Sequence, residues 1–278
     1  MAVPGVVLAA ALCAWGVLCL LFWQGSWQLL YHPAAKVART PADAGLAFSA
    51  VGFDPAASGA PQLTGWWIPA AADAHEGSYT LLYLHGQDGN LGEEVDHLAQ
   101  LHTAGVNVFA FDYRGYGHSE FDRPSEMSWR EDADSALRYL TNTRHVSAGT
   151  IVLDGNKLGA NLALEVAVAH PELAGVVLES PIEDPMSAIF NDGRARLVPA
   201  RLLVHDRYDL DAAAAAMRIP SLWLLPSANS GASSRAQNPE AFQKITARKM
   251  LVWLPQGAMT AKSFSDELSR WLDDLHAH

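Results

Sequence analysis

Residues 154–160 read Asp154-Gly155-Asn156-Lys157-Leu158-Gly159-Ala160, set between an apolar strand pattern at Thr150–Leu153 and a run, Leu158–Ala169, that is apolar on nearly every face. Two glycines at such a junction predict a sharp strand-to-helix turn, because glycine alone tolerates both the unusual backbone angles and the close approach of another chain segment. Two more segments follow apolar strands in the same way. Leu84-His85-Gly86-Gln87-Asp88-Gly89-Asn90 closes the run Tyr79–Leu84, and Phe111-Asp112-Tyr113-Arg114-Gly115-Tyr116-Gly117-His118-Ser119 closes the run Val106–Phe111. Short, continuous apolar runs are strands buried on both faces, as in a parallel sheet covered by helices.

Working outward, Leu46–Phe53 and Leu63–Ile68 read as strands joined by a turn rich in Pro, Gly and Ser. Leu91, Val95, Leu98 and Leu101 sit at helical spacing, with Gly105 as the stop. Ser128-x-x-Glu131 has the form of a capping box, in which side chain and backbone exchange hydrogen bonds at a helix start. Ala174–Leu178 is a further strand, 181–218 is less regular, and Ser221–Leu225, a helix near 239–246, Met250–Leu254 and a helix over 263–275 complete the chain. Strands alternating with helices predict an α/β domain with a mostly parallel sheet and helices on both faces. No linker divides residues 36–278, so one domain is expected there, preceded by a distinct segment over 1–35.

That segment holds Val6–Trp23, 18 residues without a charge. As a helix it spans about 27 Å, near the thickness of a bilayer's hydrocarbon core. Trp23, Trp27 and Tyr31 follow it, as interfacial aromatics do. A cleaved signal peptide calls for a basic start, and only the terminal amine precedes this run. The expectation is therefore a membrane segment with a single-pass N-terminal anchor, its partner the bilayer through residues 6–23. Lys36 and Arg39 are too few to set its orientation. Cys13 and Cys19 are the chain's two cysteines, which excludes a disulfide framework and a cysteine metal site in the domain. With 19 Lys plus Arg against 30 Asp plus Glu, the net charge is −11, which argues against nucleic acid as a partner. A 50% hydrophobic composition excludes a disordered chain.

Together the three segments resemble the α/β-hydrolase superfamily, and most nearly the membrane-anchored serine hydrolases of the Bem46 and ABHD13 type. The resemblance runs from Tyr31-His32-Pro33 to the C-terminus and includes Glu179-Ser180-Pro181. It implies the α/β-hydrolase fold and a G-x-S-x-G elbow whose serine is activated by a histidine and an acid. Here the elbow is Gly155-Asn156-Lys157-Leu158-Gly159, so Lys157 stands at the nucleophile position. The acid position aligns with Asn229 and the histidine position with Met259, so all three triad positions are expected to be substituted. The backbone amides of Gln87 and Leu158 are the expected remnant of the oxyanion hole. His85 reads as structural, Asp112 and Arg114 as fixing their loop, and Ser119 and Ser180 as loop serines without a base.

The reading that follows is a catalytically inactive pseudohydrolase that binds a small acyl or anionic ligand, or a protein partner. Lys157 is its candidate anion-binding residue and Asp88 its candidate internal partner. The alternative is an active esterase, thioesterase or lipase-like hydrolase with a non-standard nucleophile. A structural partner protein with a collapsed pocket is a third possibility. No cofactor is implied. His97 and His102 lack the i,i+4 spacing of a helical zinc site, so no metal is expected.

Overall fold

The structure, a computed structural model, describes residues 3–55, 58–71, 79–227, 238–255 and 262–276. Eight strands form its main sheet: β1 Ser49–Pro55, β2 Pro61–Ile68, β3 Thr80–Leu84, β4 Asn107–Asp112, β5 Ile151–Asn156, β6 Gly175–Glu179, β7 Ser221–Pro226 and β8 Lys249–Leu254. Their order is β8-β7-β6-β5-β3-β4-β2-β1. Strand β2 runs antiparallel to both β1 and β4, and every other pairing is parallel. The central strand β3 pairs with β4 on one side and β5 on the other, placing Tyr83 opposite Ala110 and Asp154. Every residue of β3 and of β6 is buried, which explains why these strands read as unbroken apolar runs rather than alternating ones.

The helices are α1 Val3–Gly25, α2 Val95–Thr103, α3 Glu126–Arg138, α4 Leu158–Ala169, α5 Ser187–Phe190, α6 Ala200–Leu203, α7 Leu210–Ala216, α8 Glu240–Lys244 and α9 Lys262–His276. Apart from α1, which lies outside the core, they cover both faces of the sheet. Leu98 and Leu101 of α2 and Phe264 and Leu268 of α9 share one core with Leu81, Tyr83 and Val177 of the sheet. Helices α3, α4 and α7 pack on the other face, around Trp129, Leu162 and Trp223. Each fully buried Leu, Val or Phe contributes about 1.5–3 kcal/mol of transfer free energy, so α4, buried on nearly every side, is held by packing more than by its own helical propensity.

Two local expectations are corrected, and the less regular stretch is filled in. The capping box of α3 uses Ser125 and Ser128, not Ser128 and Glu131: the Ser125 hydroxyl accepts from the Ser128 amide, and the Ser128 side chain accepts from the Ser125 amide. Strand β1 begins at Ser49, three residues later than Leu46. The stretch 181–218 contains three short helices, α5 to α7. Outside the domain core, the apolar N-terminal segment forms α1, long and apolar enough to cross a membrane by length and composition, with almost none of it buried in the chain's own fold.

Candidate functional site

The turn between β5 and α4 is a sharp elbow, and glycine makes it possible. A Cβ on Gly155 would stand 2.3 Å from the Gly159 carbonyl oxygen, and one on Gly159 would stand 2.1 Å from that of Leu84. Between them Lys157 adopts φ 51° and ψ −118°, a conformation that side chains other than glycine rarely take. The Lys157 amide donates to the Glu179 carbonyl at 2.9 Å, tying the elbow to the end of β6. Its ammonium projects half-exposed, 3.6 Å from Asp88 Oδ2, while His32 Nδ1 lies 2.9 Å from the other oxygen of that carboxylate. At these exposures the Lys157–Asp88 contact is a weak, solvent-screened pair.

Across from the elbow runs the loop after β3. A Cβ on Gly86 would come within 3.4 Å of Lys157 Cβ, so loop and elbow are in contact. The Gln87 carbonyl accepts from Tyr116 Oη at 2.9 Å and from the His32 amide at 2.9 Å, which fixes the loop. Leu158 opens α4, so its amide belongs to the first turn, whose N–H groups lack intrahelical acceptors. His85 is fully buried beside Tyr113, Tyr116 and Trp129. Burial pushes its pKa down to about 4, with the Gly86 carbonyl opposing the shift. The ring is therefore neutral at pH 7 and donates from Nδ1 to the Gly86 carbonyl at 2.8 Å. Asp112 Oδ1 lies 3.7 Å from His85 Nε2, but with a neutral ring this is not an ion pair. Burial raises the Asp112 carboxyl to about 7, against the amides of Leu91 and His118 that bond it. Arg114 turns away to α3, meeting Asp132 at 2.6 Å and Glu131 at 2.8 Å. Ser119 donates to the Asp112 carbonyl, and Ser180 closes β6 with its amide on the Leu224 carbonyl; both serve local backbone structure.

Beneath the elbow, on the α2 and α9 face, lies a buried polar cluster. His97 Nε2 of α2 sits 2.9 Å from Glu179 Oε1, and Asn156 donates from Nδ2 to Glu179 Oε2 at 3.1 Å. Asp154, fully buried on β5, has no conventional hydrogen-bond donor on either carboxylate oxygen. Tyr83 donates to Glu94 Oε2 at 2.9 Å alongside. Burial, then the nearby Glu179 carboxylate, raises the Asp154 pKa well above its ordinary value. For His97, burial opposes the charged ring, but the Glu179 charge and hydrogen bond, with Glu94, outweigh it and raise the pKa. Ligand atoms of His97, Asp154 and Glu179 lie within 4.8 Å of one another. One imidazole and two carboxylates can hold a divalent cation, or can satisfy each other through a shared proton.

Sequence reasoning missed this cluster. It set His97 aside because its own helix lacks a partner at metal-ligand spacing, but the partners come from β5 and β6. The available signal was an acid inside each of two apolar strands, Asp154 and Glu179, where an unpaired charge is too costly to be left alone.

The sequence model of the serine aminopeptidase S33 family matches residues 76–255, well over half of the chain, and the chain belongs to this family of the α/β-hydrolase superfamily. It is similar to the uncharacterized protein YfhR of Salmonella typhi, 33% identical over 196 residues, 65% of this chain and 63% of that protein. It is also similar to human alpha/beta hydrolase domain-containing protein 17C, 34% identical over 117 residues, 42% of this chain and 35% of that protein. The chain thus spans less than two thirds of the length of these relatives. In three dimensions it resembles an esterase of Pyrococcus furiosus, Pf2001, with TM-score 0.64 and 17% identity, covering 87% of this chain and 98% of that one. A hormone-sensitive lipase from a metagenome library aligns with TM-score 0.58 and 17% identity over 91% of this chain and 89% of that one. These structural likenesses establish the fold.

The expected resemblance is corrected on two counts. The family is serine aminopeptidase S33, with protein 17C among the relatives, in place of the finer Bem46 and ABHD13 assignment. The statement that all three triad positions are substituted is also overturned, because His97 with Asp154 and Glu179 keeps a histidine–acid cluster in the fold. What that cluster lacks is a nucleophilic serine: the elbow holds Lys157. Asn229 and Met259 lie outside the described residues.

Proposed function

We propose that this protein is a pseudohydrolase that acts by binding a ligand or partner, held at a membrane by residues 1–35 while 36–278 form the working domain. One observation carries the reading: the elbow keeps the geometry that would present a nucleophile, but it presents an ammonium. Lysine in a serine's place offers no hydroxyl for an acyl-enzyme, and loss of one triad member alone costs several orders of magnitude in rate. In this reading the amides of Gln87, on the loop, and Leu158, at the helix start, are the oxyanion-hole remnant. Lys157, lying beside Asp88, has an internal counter-ion, so a small acyl or anionic ligand must displace that carboxylate to reach the ammonium.

The test is a fluorophosphonate serine probe and p-nitrophenyl ester turnover on the full chain. We expect neither labelling nor turnover above a denatured control. Labelling of the wild type that persists in Lys157→Ala would establish the alternative, a hydrolase with a nucleophile elsewhere, and overturn this reading.

A further inference from the structure

Helix α1 is not free of the domain along its length. Trp15 Nε1, near its middle, donates to the Leu197 carbonyl at 3.1 Å. From there to its C-terminus the helix is flanked on two sides by the chain around α5 and α6. Leu18, Leu21 and Phe22 face Arg194, Leu197 and Val198 across one apolar groove of about 210 Å³. Cys19, Leu20 and Trp23 face Leu202 and Leu203 across another. Arg123 stacks on the Trp23 ring at 5.4 Å and donates to the Trp23 carbonyl.

This packing sets a length problem. The apolar run Val6–Trp23 spans about 27 Å at 1.5 Å per residue, close to a hydrocarbon core of about 30 Å, and its second half, from Trp15 on, lies alongside the collar that Leu197 marks. Trp15 lies eight residues before Trp23, about 12 Å along the same axis. A bilayer that takes up the apolar length of α1 must therefore take up the collar as well. The composition of the collar suits that position. Leu197 and Leu202, beside α1, remain 61% and 78% exposed. Arg194, Arg196 and Arg201 stand among them, and residues 187–207 carry a net positive charge within a chain of net charge −11. Asp192 engages Arg194 at 2.8 Å, and Arg201 lies over the Phe190 ring at 4.7 Å. Leucines beside arginines form an interfacial surface: the apolar side chains enter the acyl region while the long cationic ones reach back to phosphate. The Trp15–Leu197 hydrogen bond also satisfies a donor and an acceptor that lipid could not.

We infer that residues 187–207 form a lipid-contacting collar, with Leu197 and Leu202 inserted into one leaflet of an anionic bilayer beside α1. This inference rests on the anchor reading and goes beyond it: the domain is partly immersed, not tethered clear of the surface.

The experiment uses the full chain with Cys13→Ser and Cys19→Ser, carrying one new cysteine at a time, Leu12→Cys, Leu202→Cys or Arg270→Cys, each labelled with an environment-sensitive fluorophore. The proteins are reconstituted into nanodiscs of phosphatidylcholine and phosphatidylglycerol, with and without lipids bearing a quencher near the headgroup or near the chain end. We expect the probe at 202 to be quenched several-fold more than that at 270, and the probe at 12 to be quenched by lipids bearing the quencher near the chain end. Quenching at 12 with none at 202 beyond the level at 270 overturns the collar and leaves the anchor standing. Quenching at neither 12 nor 202 overturns both.

Discussion

Asp154, on β5, and Lys157, on the elbow that follows, lie three residues apart, yet they occupy opposite regimes. Asp154 is fully buried and grouped with His97 and Glu179 from two other elements, whereas Lys157 is half-exposed with its ammonium 3.6 Å from the Asp88 carboxylate. The elbow itself is fixed by backbone contacts at Gly155 and Gly159, which act whatever side chain stands between them. The cluster below is fixed by the cost of burying charge, which depends entirely on side-chain identity. Retained elbow geometry is therefore evidence of fold, not of activity; the side chain the elbow presents is what bears on chemistry.

The strongest way to break this contrast is at Gly159. In an ordinary helix Gly→Ala stabilises by about 1 kcal/mol. Here the added methyl would stand 2.1 Å from the Leu84 oxygen and 2.4 Å from that of His85. Gly159→Ala is expected to cost about 5 kcal/mol or more, a large share of a domain's stability. Thermal unfolding followed by circular dichroism reads this directly, and a variant as stable as the wild type would mean that the elbow is not held by that close approach.

Next in size is the cluster. Glu179→Gln removes the charge that raises the pKa of buried His97, and breaking a buried pair from one side costs about 3–5 kcal/mol. The sign is checkable as well: without the carboxylate, burial dominates and the His97 pKa falls below its ordinary value, which histidine NMR would show. Asp154→Asn should be much milder, since burial and the Glu179 carboxylate already disfavour a charge at that position. Chelator treatment separates a proton from a cation in the same cavity. We expect the melting temperature to be unchanged after EDTA dialysis, and a clear fall would place a metal among His97, Asp154 and Glu179.

Smaller again is a pH effect opposite the elbow. The folded Asp112 titrates at about 7 because it is buried, and the unfolded one near 4. Across that window the folded chain holds a proton that the unfolded chain has released. The Asp112 contribution to stability therefore falls as pH rises, by at most about 1.4 kcal/mol per pH unit, and is flat above the upper pKa. His85, at about 4 in the fold, acts the other way below its ordinary pKa, but it does so in wild type and variant alike. Asp112→Asn should therefore lose less stability than wild type as pH rises from about 5 to 7. Parallel melting curves would remove Asp112 from the account.

Much of this architecture is legible without coordinates, because buried strands such as Tyr79–Leu84 and the helix Leu158–Ala169 announce themselves as unbroken apolar runs between glycine-bearing turns. The placement of Lys157 on the elbow follows from those same turns. His97, Asp154 and Glu179 were illegible as a group for a physical reason: they come from α2, β5 and β6, and the order β6-β5-β3 that brings them together is a property of the folded sheet, not of spacing along the chain. The collar was hidden likewise, because the irregular stretch 181–218 has no periodicity to reveal that Leu197 returns to meet Trp15.

The finest test of the contrast lies in Lys157 itself, through two replacements that both delete the ammonium. Lys157→Ala removes the screened pair with Asp88 and keeps the Cβ, so it should change stability by no more than about 0.5 kcal/mol. Lys157→Gly also removes the Cβ at a residue with φ 51° and ψ −118°. Strain at such a conformation costs about 1–3 kcal/mol, while glycine returns roughly 0.5–1 kcal/mol through the entropy of the unfolded chain. The glycine variant should therefore be more stable than the alanine variant by about 1 kcal/mol, measurable as a shift of a few degrees in melting temperature. Because the two variants share the same charge, the difference between them isolates the backbone. Equal stability would show that the elbow carries no strain. A large loss in Lys157→Ala would show instead that the ammonium, and not the turn, holds this corner of the molecule together.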